Sequence, residues 1–197
     1  MDDYAIESLK RAQLATSRGY FDEEISPVTY QTRKGDITVY IDESPQKAVI
    51  EKIPTLRPAF GKDGLVTAAN ASSISDGAAA LMVMSAAKAK SLNLTPLAVI
   101  KAHTSHAREP ERFTQAPIDA IKKLLTKVNW TVADVDLFEV NEAFAMVAIA
   151  AINALKLPRE KVNINGGATA LGHPIGASGA RIIVTLLYAL QRIGKTK

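Results

Sequence analysis

Residues Asn165–Arg181 read NGGATALGHPIGASGAR. Five of the chain's 11 glycines fall between positions 166 and 179. Glycine lacks a Cβ, so it permits positive φ and close backbone approach. Such crowding marks tight turns, or a segment that packs hard against a neighbour or a ligand. The run from Ile175 to Ile193 has the periodicity of a long helix closed by Gly194. Gly176, Ala177, Gly179 and Ala180 are expected to let that helix pack closely. Close packing does not account for His173, which precedes Pro174 at the helix start. A histidine in a glycine-crowded strand-to-helix turn is well placed to be a base, able to take a proton from a thiol or a carbon acid near neutral pH. Gly167 and Gly172 have the G-x-x-x-x-G spacing of a phosphate loop. His173-Pro174 stand where Lys and Ser/Thr are required, and that reading fails. His103 and His106, on or near a predicted strand, read as ordinary polar residues.

Moving toward the N-terminus, Val162–Asn165 reads as a strand stopped by two glycines. Glu142–Leu155 is an almost wholly apolar helix and therefore buried. A short apolar strand, Val135–Val140, precedes it. Between them lies Asn141-Glu142-Ala143-Phe144-Ala145. Asn141 is a competent N-cap. The same position, at the carboxyl end of a strand, faces the usual ligand crevice of α/β folds, where an amide can hold a water or a substrate carbonyl. The residues alone leave both roles open. Pro117–Val128 is an amphipathic helix with Pro in its first turn, and Leu97–His106 a strand. Strand and helix alternate three times, the pattern of a layered α/β domain.

Further upstream, Ala78–Met84 reads as a buried strand and Ala86–Ser91 as a helix. Residues 20–66 are rich in turn formers, with short strands around Ile25–Tyr30 and Asp36–Ile41. Loop-rich excursions of this kind often carry ligand contacts. Residues 4–18 have helical periodicity, ending at Arg18-Gly19.

The totals narrow the function classes. At 197 residues and 47% hydrophobic content, the chain can bury a core of one or two domains. A net charge of +4 suits an anionic ligand or a solvated basic surface. No dense Lys/Arg run with interleaved aromatics directs it to nucleic acid. The absence of cysteine excludes disulfides, thiolate zinc sites and a Cys nucleophile supplied by this chain. No apolar run reaches the ~18 residues of a membrane span. The acidic start, Met1-Asp2-Asp3, is unlike a signal or transit peptide. The expectation is a cytoplasmic location, or a mitochondrial one if a targeting segment lies upstream.

The NEAFA segment at Asn141–Ala145 and the GGATALGHPIGASGAR segment at Gly166–Arg181 closely resemble two hallmark motifs of the thiolases, in family order and at a fitting spacing. GDITV at 35–39, LRPAF at 56–60 and VTAANASSISDG at 66–77 are similar to thiolase segments as well. The resemblance implies a layered α/β/α/β/α thiolase-like fold, incomplete here, comprising the loop region plus most of the C-terminal domain. Residues 1–74 would be the end of the N-terminal domain with the CoA-binding loop region. Residues 75–95 would be the last strand and helix of the N-terminal domain, and 96–197 a C-terminal domain lacking its final strands.

The same resemblance implies acyltransferase chemistry: a reversible thioester Claisen condensation, or thiolysis of a 3-ketoacyl-CoA. The family uses a nucleophilic Cys, a second Cys as acid/base, a His that activates the nucleophile, and an Asn that positions a water in an oxyanion hole. By motif, His173 and Asn141 correspond to the last two. Ser72 falls where the family contacts the pantetheine arm of CoA, and Ala68 and Phe144 where it lines that channel. Coenzyme A or acyl-CoA is then the substrate, with no permanently bound cofactor or metal and no nucleic-acid or membrane partner. Family members are commonly dimers or tetramers. This sequence departs from the family in having neither cysteine, and in carrying Gln46 and Lys47 where an Arg often meets the nucleotide end of CoA. Alone it is expected to be inactive. The alternatives are a non-catalytic CoA-binding or interaction module, or one chain of a split thiolase.

Overall fold

A computed structural model describes residues 1–197. In chain order the elements are helix α1 (Asp2–Ser17), strands β1 (Val28–Thr32) and β2 (Gly35–Val39), and helices α2 (Glu43–Lys47), α3 (Ala86–Ser91), α4 (Ala116–Val128), α5 (Ala145–Leu155), α6 (Ala168–Leu171) and α7 (Ile175–Arg192), with short 3₁₀ turns between some of them. α1, α3, α4, α5 and α7 fall close to where periodicity puts them, whereas α2 and α6 are short helices that it does not announce. α3 opens on Ser85, whose side chain accepts from the Lys88 N–H, an ordinary serine cap. α4 closes on Asn129 at φ 54°, a left-handed position that Asn tolerates.

The main core forms where α5 meets the chain on either side of it. Val135, Phe138, Val140, Ala145, Val147, Ala148, Ala151, Leu157 and Val162 cluster there with Tyr4 of α1. α5 buries Ala145, Val147, Ala148 and Ala151. Small residues on that face let α1, which contributes Tyr4, approach closely. A second, smaller cluster joins Leu9 and Ala12 of α1 to Ile53 and Ala170.

Strands differ from expectation. β1 and β2 form one antiparallel hairpin in which Val28 faces Val39 and Tyr30 faces Ile37, on an exposed apolar face. No ladder forms at Ala78–Met84, Leu97–His106, Val135–Val140 or Val162–Asn165. The last two segments meet through a single parallel bridge, Phe138 to Val162. The reason is physical: a strand exists only through a neighbour's backbone. Residues 76–84 and 97–107 make no backbone–backbone hydrogen bond. Met82, Val83, Leu97, Val99 and Ile100 stand exposed. The surface measures 12823 Å² for 21.1 kDa, where a compact monomer of that mass exposes roughly 9,000 Å².

The glycine-rich helix also departs from expectation. Nothing lies within 4 Å of where a Cβ would stand on Gly176 or Gly179, so in this chain no neighbour packs on that face. The tight glycines are those before the helix: Gly166, Gly167 and Gly172. No helix is long and apolar enough to cross a membrane.

Candidate functional site

His173 and Asn141, 32 residues apart, meet in space. Asn141 Nδ2 lies 3.2 Å from His173 Nε2. The capping role read for Asn141 is not the one it takes. α5 begins at Ala145 with Phe144 as its N-cap, so Asn141 stands outside the helix on the segment that leaves the Phe138 bridge.

The hydroxyl of Ser178 sits against the imidazole. Ser178 is buried, and its Oγ donates to Pro174 O at 3.0 Å. That uses its only proton. In that hydroxyl orientation His173 Nδ1, 2.5 Å from the same Oγ, is the donor of the pair. Nε2 is left with its lone pair, which accepts from the Asn141 amide. With the amide so oriented, Asn141 Oδ1 is buried and unpartnered. An unsatisfied buried acceptor is a place for a water or a ligand donor.

One short segment holds both motifs. Asn70 O accepts from the Ala145 N–H at 2.8 Å, and Ala71 bridges Phe144. Ser72 donates to Ala143 O from its backbone N–H at 3.1 Å and from its hydroxyl at 2.8 Å. Ser73 O accepts from the His173 N–H at 3.1 Å. Asn70 anchors the segment, fully buried, with its amide donating to Asp2 and to Leu65 O and its Oδ1 accepting from the Thr67 N–H. Ser72 and Phe144 are thereby brought beside Asn141. Phe144 is half-buried and meets Phe113 edge-on, with ring centroids 6.3 Å apart. Ala68 is exposed in the turn just before Asn70. Gly172, at φ +94°, passes so near Ser75 that a Cβ would stand 2.2 Å from its Oγ.

Asn141 lines one hollow, and a second lies beside Pro174; His173 lines neither of the two. One, of about 290 Å³, is mostly apolar and is lined by Phe113, Pro117, Ile121, Glu139 and Asn141 among others. The other, of about 420 Å³, lies between Ser75–Ala79 and Pro174–Ala177.

A buried acidic group beneath α7 escapes sequence reasoning. Burial pushes the Glu24 carboxyl up to about 7, against the pull of its Thr185 hydrogen bond and of Arg181 and Arg192. Burial pushes Glu139 up to about 8, with Arg181 opposing and Glu142 and Glu24 reinforcing. Glu139 as a residue is only half-buried, but its carboxyl is crowded by protein. Two nitrogens of Arg181 are buried without a hydrogen-bond partner. Glu142, which is fully buried, is likewise inconspicuous in the sequence. Its one signal is a charged residue opening an apolar run.

Comparisons with known proteins bear on the family and the fold. The family model described as the thiolase N-terminal domain matches residues 1–87, and the one described as the thiolase C-terminal domain matches 94–197. A probable acetyl-CoA acyltransferase of Staphylococcus aureus is 52% identical over 192 residues, covering 96% of this chain and 49% of the relative. An acetyl-CoA acetyltransferase of Cupriavidus necator is 49% identical over 193 residues, covering 97% and 49%. The crystal structure of the Bacillus anthracis acetyl-CoA acetyltransferase superposes with a TM-score of 0.94 at 45% identity, covering 98% of this chain and 50% of that one. Human mitochondrial 3-ketoacyl-CoA thiolase superposes with a TM-score of 0.90 at 39% identity, covering 98% and 49%. The chain thus spans about half the length of the relatives it matches and has about half of their fold. Two motifs in contact, domain models over nearly every residue and this structural match have one reading: the chain belongs to the thiolase family.

Proposed function

We propose that this chain supplies the histidine–asparagine side of a thiolase active site acting on acyl-CoA thioesters. The observation that carries the reading is the contact of Asn141 Nδ2 with His173 Nε2, beside the unpartnered Asn141 Oδ1. A neutral imidazole whose Nε2 is an acceptor can take a proton from a thiol that displaces the Asn141 amide from it, and the resulting thiolate is a strong nucleophile. In thiolysis that thiolate adds to the C3 carbonyl of a 3-ketoacyl-CoA. The C2–C3 bond breaks, and its electron pair leaves as the enolate of acetyl-CoA, which is then protonated. The acyl group remains on sulfur until the thiolate of a second CoA takes it. Enolate charge needs donors set in advance, and a water held by Asn141 is the donor assigned here. Ser72, Phe144 and Ala68 are assigned to the pantetheine arm.

These 197 residues contain no cysteine, so neither sulfur group is supplied by them, and alone they are expected to give no thiolysis. The test is a chimera in which this chain replaces the 192 aligned residues of the S. aureus relative. It should cleave acetoacetyl-CoA, and His173→Ala or Asn141→Ala should abolish cleavage. A folded but inactive chimera, or active variants, would overturn the proposal. Lack of cysteine also favours a second reading, a non-catalytic CoA-binding module. Calorimetric titration of the chain with CoA tests it, and absence of binding heat removes it.

A further inference from the structure

Glu142 follows Asn141 directly and is fully buried. Its carboxylate accepts five hydrogen bonds. Oε1 takes them from Tyr4 Oη at 2.8 Å and Asn163 Nδ2 at 2.8 Å. Oε2 takes them from Ser8 Oγ at 2.8 Å, Thr169 Oγ1 at 2.7 Å and the Thr169 N–H at 3.2 Å. A buried carboxylate is tolerable only when so satisfied. The donors come from three places: α1, the turn after Val162, and α6. Two of these places bear directly on the candidate site.

Asn163 holds the Asn141 side. Its Oδ1 accepts from the Val140 N–H and its Nδ2 donates to Val140 O, each at 2.8 Å, while the same Nδ2 reaches Glu142. Residues 140 and 142 are thereby pinned on either side of Asn141. Thr169 holds the His173 side, on α6, which runs into Gly172-His173. Ser8 tightens that grip by accepting from the Gly167 N–H at 2.9 Å. Gly167 lies directly against the carboxylate: a Cβ there would stand 2.3 Å from Glu142 Cδ.

We propose that Glu142 is a positioning residue that holds the Asn141 amide against His173 Nε2, an inference that rests on the thiolase reading of the pair. Glutamine cannot replace it. Hydroxyl donors can turn round, but two donors cannot. Asn163 Nδ2 is fixed because its Oδ1 is committed to Val140, and the Thr169 N–H is backbone. A glutamine amide nitrogen at the Oε1 position faces the first, and at the Oε2 position it faces the second.

The test is nuclear magnetic resonance on the full chain, reading the His173 ring nitrogens and the Asn141 side-chain amide. The parent should hold the Nδ1–H tautomer. Glu142→Gln should lower the ratio of Nδ1–H to Nε2–H forms roughly fivefold, the weight of one lost neutral hydrogen bond, and should shift the Asn141 amide. Ile53→Ala, which weakens the second core cluster, is the control for destabilisation alone and should leave both signals in place. If Glu142→Gln does not fold, Thr169→Ala decides. It keeps the carboxylate, removes one of five donors, and should move the same signals the same way by a smaller amount. Unchanged His173 and Asn141 signals in a folded Glu142→Gln, or failing that in Thr169→Ala, overturn the proposal, as does an equal change in Ile53→Ala. An inactive chimera with these shifts present sinks the functional reading and leaves the positioning claim intact. An active chimera with no shift does the reverse.

Discussion

Replacing Gly166 and Gly179 by alanine should move stability in opposite directions. Gly166 sits at φ +79°, and a Cβ there would stand 2.5 Å from Ser8 O and 2.8 Å from both the N and the Cβ of Ala12. The left-handed backbone costs an alanine about 1–2 kcal/mol. The contact is with α1 backbone, which cannot swing aside, so relief requires the helix to shift, at about 1–3 kcal/mol. Together these give a loss of about 2–5 kcal/mol for Gly166→Ala, a large share of the ~5–15 kcal/mol that holds a domain together. Gly179 lies in α7 with nothing within 4 Å of the Cβ position and an ordinary helical φ. There alanine removes only unfolded-state freedom, a gain of about 0.5–1 kcal/mol. Equilibrium urea unfolding followed by far-ultraviolet circular dichroism measures both. A loss below about 1 kcal/mol for Gly166→Ala would show that α1 does not press on the glycine turn. A loss for Gly179→Ala would show that α7 has a close neighbour after all.

Three further outcomes rest on the same packing and hydrogen bonds. Glu24 and Glu139 have raised carboxyl pKa values, so the folded chain holds protons that the unfolded chain releases. Stability should therefore fall as pH rises from about 4.5 through 7 and 8 and then level off. The slope is at most ~1.4 kcal/mol per pH unit for each group, and Glu24→Gln with Glu139→Gln should flatten it in urea titrations. Ser178→Ala removes the acceptor of the His173 Nδ1–H. It should shift the ring toward the Nε2–H tautomer by roughly fivefold, as seen in ring-nitrogen spectra, and an unchanged ratio would refute the assignment. Amides of residues 76–84 and 97–107 lack backbone partners and should exchange with solvent near the unfolded-chain rate in this chain. Protection there would mean that pairing forms.

The contrast between helices and strands explains how much the sequence could reveal. A helix closes its hydrogen bonds within itself, so the apolar face of Ala145–Leu155 and the Ser85 cap of α3 are enough to announce one. A strand is half of a pair. Ala78–Met84 and Leu97–His106 carry the right apolar residues, but no backbone in the chain pairs with their edges. The hairpin Val28–Val39 forms because both partners are five residues or fewer from the turn. The same distinction runs through the site. His173 is legible because the glycines that make its turn are its neighbours in sequence. Asn141 stays ambiguous because its partner lies 32 residues away. Glu142 is passed over because its donors Tyr4 and Ser8 lie 138 and 134 residues away. Glycine shows the limit most sharply. Gly166 and Gly179 look alike in the motif, yet one is wedged against α1 and the other faces open space. A glycine-rich motif records that something approaches closely, not that the approaching group belongs to the same stretch of chain. α7 accordingly keeps an uncovered glycine face although its motif is glycine-rich.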